Sequence, residues 1–114
     1  MHELGIVFYI LDEVKKITKE NHASHINSVT LEIGEVSTVI PSYLEDCWKW
    51  AIGKDDITKN CQLKIEKVQA ITYCKNCGNR FETIKNGKVC PKCSSSDTYL
   101  IQGDEVNIKE IEVI

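Results

Sequence analysis

The chain has 114 residues, 42% of them apolar, and a formal net charge of −3. That length suits one compact domain or one with a small satellite, and the charge gives no global reason to bind nucleic acid or an anionic membrane. The longest apolar run, residues 4–11, is too short to span a bilayer and lacks the flanks of a secretory signal, so the expected location is cytoplasmic.

In chain order, Leu4, Val7, Phe8, Leu11, Val14 and Ile17 recur at helical spacing and predict an amphipathic helix over 4–20, with these residues as its core stripe. Asp12, Glu13, Lys15, Lys16, Lys19 and Glu20 take its other side. His22 and His25 fall in a polar connector and read as solvated loop residues. Val29, Leu31 and Ile33 alternate with Thr30 and Glu32, which predicts a half-buried strand ended at Gly34.

A second helix is expected over 41–53. Pro41 fits its first turn, Ser42 and Glu45 have capping-box spacing, and Gly53 fits its stop. Leu44, Cys47, Trp48 and Ala51 form its apolar stripe, and Trp50 lies off it, as a flank residue or a partner contact. A second strand follows over about 61–72, with Cys61, Leu63 and Ile65 on one face. Cys47 and Cys61 read as small buried hydrophobes. Residues 73–100 are rich in Cys, Gly and Ser, and 105–114 return to strand pattern. The alternation slips between Ile108 and Ile111, as a bulge or burial on both faces would cause.

This order predicts an α+β fold. Two helices pack on a small mixed three-stranded sheet, and a metal ribbon is inserted before the last strand. The expected domains are 1–72 plus 104–114, and 73–103.

Cys74-Lys-Asn-Cys77 and Cys90-Pro-Lys-Cys93 are two C-x-x-C pairs separated by twelve residues. Each pair puts two sulfurs on one side of a knuckle, and two knuckles make a tetrahedral set, with Zn(II) the default occupant of a closed structural site. A reducing compartment disfavours disulfides. Asn86-Gly87 between the pairs predicts a type I′ hairpin turn. Iron is the rival metal, since Cys77-Gly78 and Cys90-Pro91 also resemble rubredoxin knuckles. Lys75, Arg80, Lys85, Lys88 and Lys92 outnumber Glu82 and Asp97, which keeps open an alternative: a zinc-ribbon adaptor binding protein or nucleic acid. Phe81 and Tyr99, with Tyr73 at the border, are few aromatics for base stacking.

The chain opens Met1-His2-Glu3. A terminal amine, the next backbone amide and the His2 imidazole can close two fused chelate rings, an N-rich planar set that favours Ni(II) or Cu(II) over zinc. Glu3 can add a carboxylate or its own amide nitrogen. The bulk of His2 should keep Met1 from being trimmed. No nucleophile elbow or phosphate loop is present, and no enzyme is expected.

MHELG at the start, LEIGEVSTVIPSYL before the second helix, the C-x-x-C…CPKC set and QGDEVNIKEIEV at the end together resemble the HypA/HybF family of hydrogenase nickel-insertion proteins. The resemblance covers essentially the whole chain. It implies a nickel metallochaperone with Met1, His2 and Glu3 as nickel ligands and Cys74, Cys77, Cys90 and Cys93 as zinc ligands. It also implies a partner GTPase and delivery of nickel to the large subunit of a [NiFe] hydrogenase. Two departures stand out. Some relatives carry an acidic residue just before the second helix, where this chain reads Val39-Ile40-Pro41. Some carry a histidine beside a C-x-x-C pair, where this chain has Gly78 and Ser94.

Overall fold

A computed structural model describes residues 3–114. The elements are α1 (Glu3–Glu20), β1 (Ile26–Gly34), α2 (Pro41–Ile52), β2 (Gln62–Val68), β3 (Ile71–Cys74), β4 (Arg80–Glu82), α3 (Thr83–Asn86), β5 (Thr98–Gln102) and β6 (Val106–Val113). They build two three-stranded sheets, ordered β2-β1-β6 and β4-β3-β5. The fold is α+β. No helix among the described residues is long and apolar enough to cross a membrane.

The chain divides into two compact units. One takes in Met1–Glu32, Thr38–Glu66 and Asn107–Ile114; the other takes in Ile33–Ser37 and Lys67–Val106.

In the first unit, Val7, Ile10, Leu11 and Val14 of α1, Leu44, Trp48 and Ala51 of α2, and Ile26, Val29 and Leu31 of β1 are buried together. The Trp48 indole N–H donates to the Cys61 carbonyl at 3.0 Å, so the large ring is buried without an orphaned donor. The ends of β1 and β6 exchange backbone bonds, Ser24 N–H to Ile114 O and Ile114 N–H to His25 O, which sets these strands antiparallel. β1 and β2 run in the same direction, joined by the crossover through α2. The sheet is therefore mixed. Ion pairs Lys64–Glu112 (3.1 Å) and Lys109–Glu66 (2.7 Å) link the two outer strands across the central one. Beneath them Ser28 donates to the Glu112 carboxylate.

The core stripe of α1 differs from the predicted one. Leu4, Phe8 and Ile17 remain more than a third exposed, whereas Glu3, Ile10 and Thr18 are buried. Apolar residues nearly ring this helix, so periodicity alone did not single out the buried face. A threonine can join that face because its hydroxyl donates to the Val14 carbonyl one turn back, at 2.7 Å. In α2, Cys47 is only half-buried. Trp50 is 55% exposed, edge-on to Phe8 (centroids 6.1 Å apart) with the Lys54 ammonium over its ring. The predicted capping box is absent too. Ile40 occupies the N-cap with no side-chain cap bond, and Pro41 begins the helix, so Ser42 is already inside it.

In the second unit, β3 pairs antiparallel with β4 and β5. Thr72, Cys74 and Phe81 face inward, while Tyr73, Arg80 and Tyr99 are aligned on the other face. The predicted strand over 61–72 is two strands, β2 and β3, broken at Gln69-Ala70. Ala70 leaves the ladder because its N–H donates to the Glu35 carboxylate at 3.3 Å. The expected Asn86-Gly87 hairpin turn is instead the end of α3, where Gly87 takes φ 64° and returns its N–H to the Thr83 carbonyl at 2.7 Å. Along β6 the half-buried residues are Val106, Ile108 and Ile111, so the phase slip lies where the alternation predicts it.

Candidate metal centre

The two C-x-x-C pairs fold into matching knuckles. In the first, the Cys74 N–H donates to the Asn79 carbonyl and the Gly78 N–H to the Cys74 carbonyl, each at 2.9 Å. In the second, the Cys90 N–H donates to Ser95 O and the Ser94 N–H to Cys90 O, again at 2.9 Å. The residue after each pair adopts positive φ, Gly78 at 78° and Ser94 at 63°. This bend turns both sulfurs of a pair to one side.

The four sulfurs converge within 4.8 Å of one another. Cys74 Sγ lies 3.5 Å from Cys93 Sγ, and Cys77 Sγ lies 3.6 Å from Cys90 Sγ. Four thiolates about 2.3 Å from a central zinc sit about 3.8 Å apart, so the cluster fits a tetrahedral ion. The distances are too long for disulfides, and all six cysteines are free. Around the cluster, Cys74, Cys90 and Phe81 are buried with Cys93 packed against them.

Two residues that sequence reading missed tune the sulfurs. The Asn76 side-chain amide donates to Cys93 Sγ at 3.4 Å, and that of Asn79 to Cys90 Sγ at 3.7 Å. Asparagines inside and just after a C-x-x-C pair were the available signal. Burial pushes the Cys90 thiol up, but the backbone N–H groups of Cys93 and Lys92 and the Asn79 amide outweigh it and bring it to about 6. Cys93 is lowered chiefly by Asn76. For Cys77 the Asn79 N–H lowers, but desolvation and the neighbouring thiols win, raising it to about 11. Cys90 is thus a ready thiolate near neutrality, and Cys93 is shifted in the same direction, toward the form a metal takes. Four thiolates close the coordination sphere, so bound zinc here would fold the ribbon and leave no open position for chemistry.

Of the expected nickel ligands, Met1 and His2 lie outside the described residues. Glu3 is 5% exposed, and its carboxylate Oε2 accepts the Ile40 N–H at 3.2 Å. It begins α1, so a metal taking its amide nitrogen breaks no intrahelical bond. Among the described residues, the four ribbon cysteines form the one group of three or more His, Cys, Asp or Glu side chains able to share an ion. His22 and His25 join no such group. Cys61 is buried, and desolvation raises its thiol to about 11, which makes it an inert core residue.

A family model described as "Hydrogenase/urease nickel incorporation, metallochaperone, hypA" matches residues 1–113. The chain belongs to the HypA family. It is 31% identical over 113 residues to hydrogenase maturation factor HypA of Actinobacillus succinogenes, covering 99% of each chain. It is 27% identical over 112 residues to hydrogenase maturation factor HybF of Klebsiella pneumoniae, covering 98% of each. The solution structure of the nickel metallochaperone HypA from Helicobacter pylori aligns with a TM-score of 0.75 at 26% identity, over 100% of this chain and 98% of that one. A second HypA solution structure aligns at 0.78 and 27% identity, over 100% and 97%. Membership makes the chain a metallochaperone of nickel incorporation in hydrogenase maturation, and its four-cysteine cluster fits the structural zinc of a zinc ribbon.

Proposed function

We propose that this HypA-family chain takes up Ni(II) at Met1-His2-Glu3 and delivers it to the large subunit of a [NiFe] hydrogenase, working in the cytoplasm with a partner GTPase. The Met1 amine, the His2 imidazole and backbone nitrogens, including that of Glu3, supply the donors. Zinc stays in the separate 73–103 ribbon on Cys74, Cys77, Cys90 and Cys93. The protein carries metal and performs no turnover.

One observation carries the reading: the match to a nickel-incorporation family begins at residue 1 and so takes in the Met-His-Glu start. The chemistry agrees. A tetrathiolate is a closed site for a resident ion, whereas an amine, imidazole and amide set favours Ni(II). A chelate built from the chain terminus also releases its cargo without dismantling a core.

Nickel titration of untagged protein tests the reading. Native chain should bind one nickel at a site that His2→Ala abolishes, with zinc content and circular dichroism unchanged. An uncleaved N-terminal tag should do the same damage by turning the amine into a peptide nitrogen. Equal nickel affinity in native, tagged and His2→Ala protein would overturn the proposed site.

A further inference from the structure

Building on the nickel site just proposed, we infer that the Glu3 carboxylate is a positioning group and not a nickel ligand. It clamps the first turn of α1 to the backbone at the start of α2, and so holds the base from which the Met1-His2 chelate is built.

The start of α2 lacks the usual devices. Its N-cap is Ile40, which has no polar side chain, no side-chain cap bond forms there, and Pro41 supplies no N–H. Glu3, 37 residues earlier in sequence, reaches this point and takes the Ile40 N–H on Oε2. The carboxylate therefore meets a helix N-terminus, where backbone dipoles favour negative charge. Glu3 is only 5% exposed, and the bond from Ile40 gives its buried carboxylate a hydrogen-bond partner.

Moving that oxygen onto a metal would strip the Ile40 amide of this acceptor and draw a buried side chain out of its place. The donor set is then nitrogen-based, and the carboxylate keeps its bond to the Ile40 amide. Holding the first turn also lowers the conformational entropy lost when the chelate rings close. The clamp thus acts on how long nickel stays, and leaves untouched which atoms hold it.

The test uses untagged, zinc-loaded full chain with three readouts: the visible nickel band, release to a competing chelator, and exchange of the Ile40 amide hydrogen. In native protein the Ile40 amide should stay as protected with nickel bound as without it. Glu3→Ala should keep the band position but release nickel about tenfold faster, the scale of a lost charge-assisted hydrogen bond. Glu3→Gln keeps an oxygen acceptor and should recover most of the slow release with the same band. A band shift in Glu3→Gln, or loss of Ile40 protection on nickel binding, would put the carboxylate on the metal and overturn the proposal. Unchanged release from Glu3→Ala would overturn it as well. Should that variant fail to fold, the Ile40 exchange in native protein and the Glu3→Gln band decide. His2→Ala runs alongside: if it keeps native nickel binding, the N-terminal site fails, whereas loss there with native release from Glu3→Ala fails only the clamp.

Discussion

Ser94 and Gly78 hold equivalent places in the two knuckles, yet only one of them is a glycine. Both adopt positive φ, a region that costs an L-residue with a Cβ roughly 1 kcal/mol or more. Ser94→Gly should therefore relax the second knuckle, partly offset by greater freedom in the unfolded chain. The expected gain is up to about 1 kcal/mol in ribbon stability, read as tighter zinc retention against a chelator. At this scale the four-cysteine cluster was legible, because C-x-x-C spacing is local and its geometry follows from one turn. The tie between Glu3 and Ile40 was not legible, because nothing within either segment points to a partner 37 residues away. Asn76 and Asn79 were readable in principle, being neighbours of the sulfurs they serve.

Among the elements, α1, β1 and α2 were legible in place and type, and their misreadings share a cause: tertiary contacts chose between local options. Ile6, Tyr9 and Ile10 give α1 apolar residues outside the predicted stripe, and packing selected a face through Ile10 and Thr18. The break between β2 and β3 follows from long-range backbone traffic around Ala70. A Cβ on Gly34 would stand 2.0 Å from the Gly103 carbonyl oxygen, and one on Gly103, at φ 111°, would stand 2.4 Å from the Ala70 Cα. Neither obstacle is a flexible side chain. Gly34→Ala should thus destabilise the protein by about 2 kcal/mol or more, seen as a lower midpoint in chemical denaturation. The ribbon allows an independent check. Cys74→Ala should lose zinc and loosen 73–103, since closed zinc sites contribute directly to folding. α1 and α2 should keep their helical signal, because Val7, Leu11, Leu44 and Trp48 are buried without help from the metal. Zinc analysis with far-ultraviolet circular dichroism reads both outcomes.

For the whole molecule, the proposed function implies a division of labour between two metal sites. Soft thiolates in a tight tetrahedron belong to a resident ion, and the amine and imidazole at the chain start are chemistry for a transient one. Fold class and family were legible because motifs at both ends and in the middle of the chain agree with one another. The compact units were harder to anticipate, since Ile33–Ser37 at the end of β1 groups with 67–106 through bonds such as Val36 N–H to Gly103 O at 2.9 Å. The central claim is that nickel travels on the N-terminus, and nickel transfer tests it most directly. Radiolabelled nickel is loaded on untagged native or His2→Ala chain, both with full zinc, and offered with the partner GTPase to the apo large subunit of a [NiFe] hydrogenase. The account predicts labelled large subunit from the native chain and only background from His2→Ala. Equal labelling from the two would contradict it.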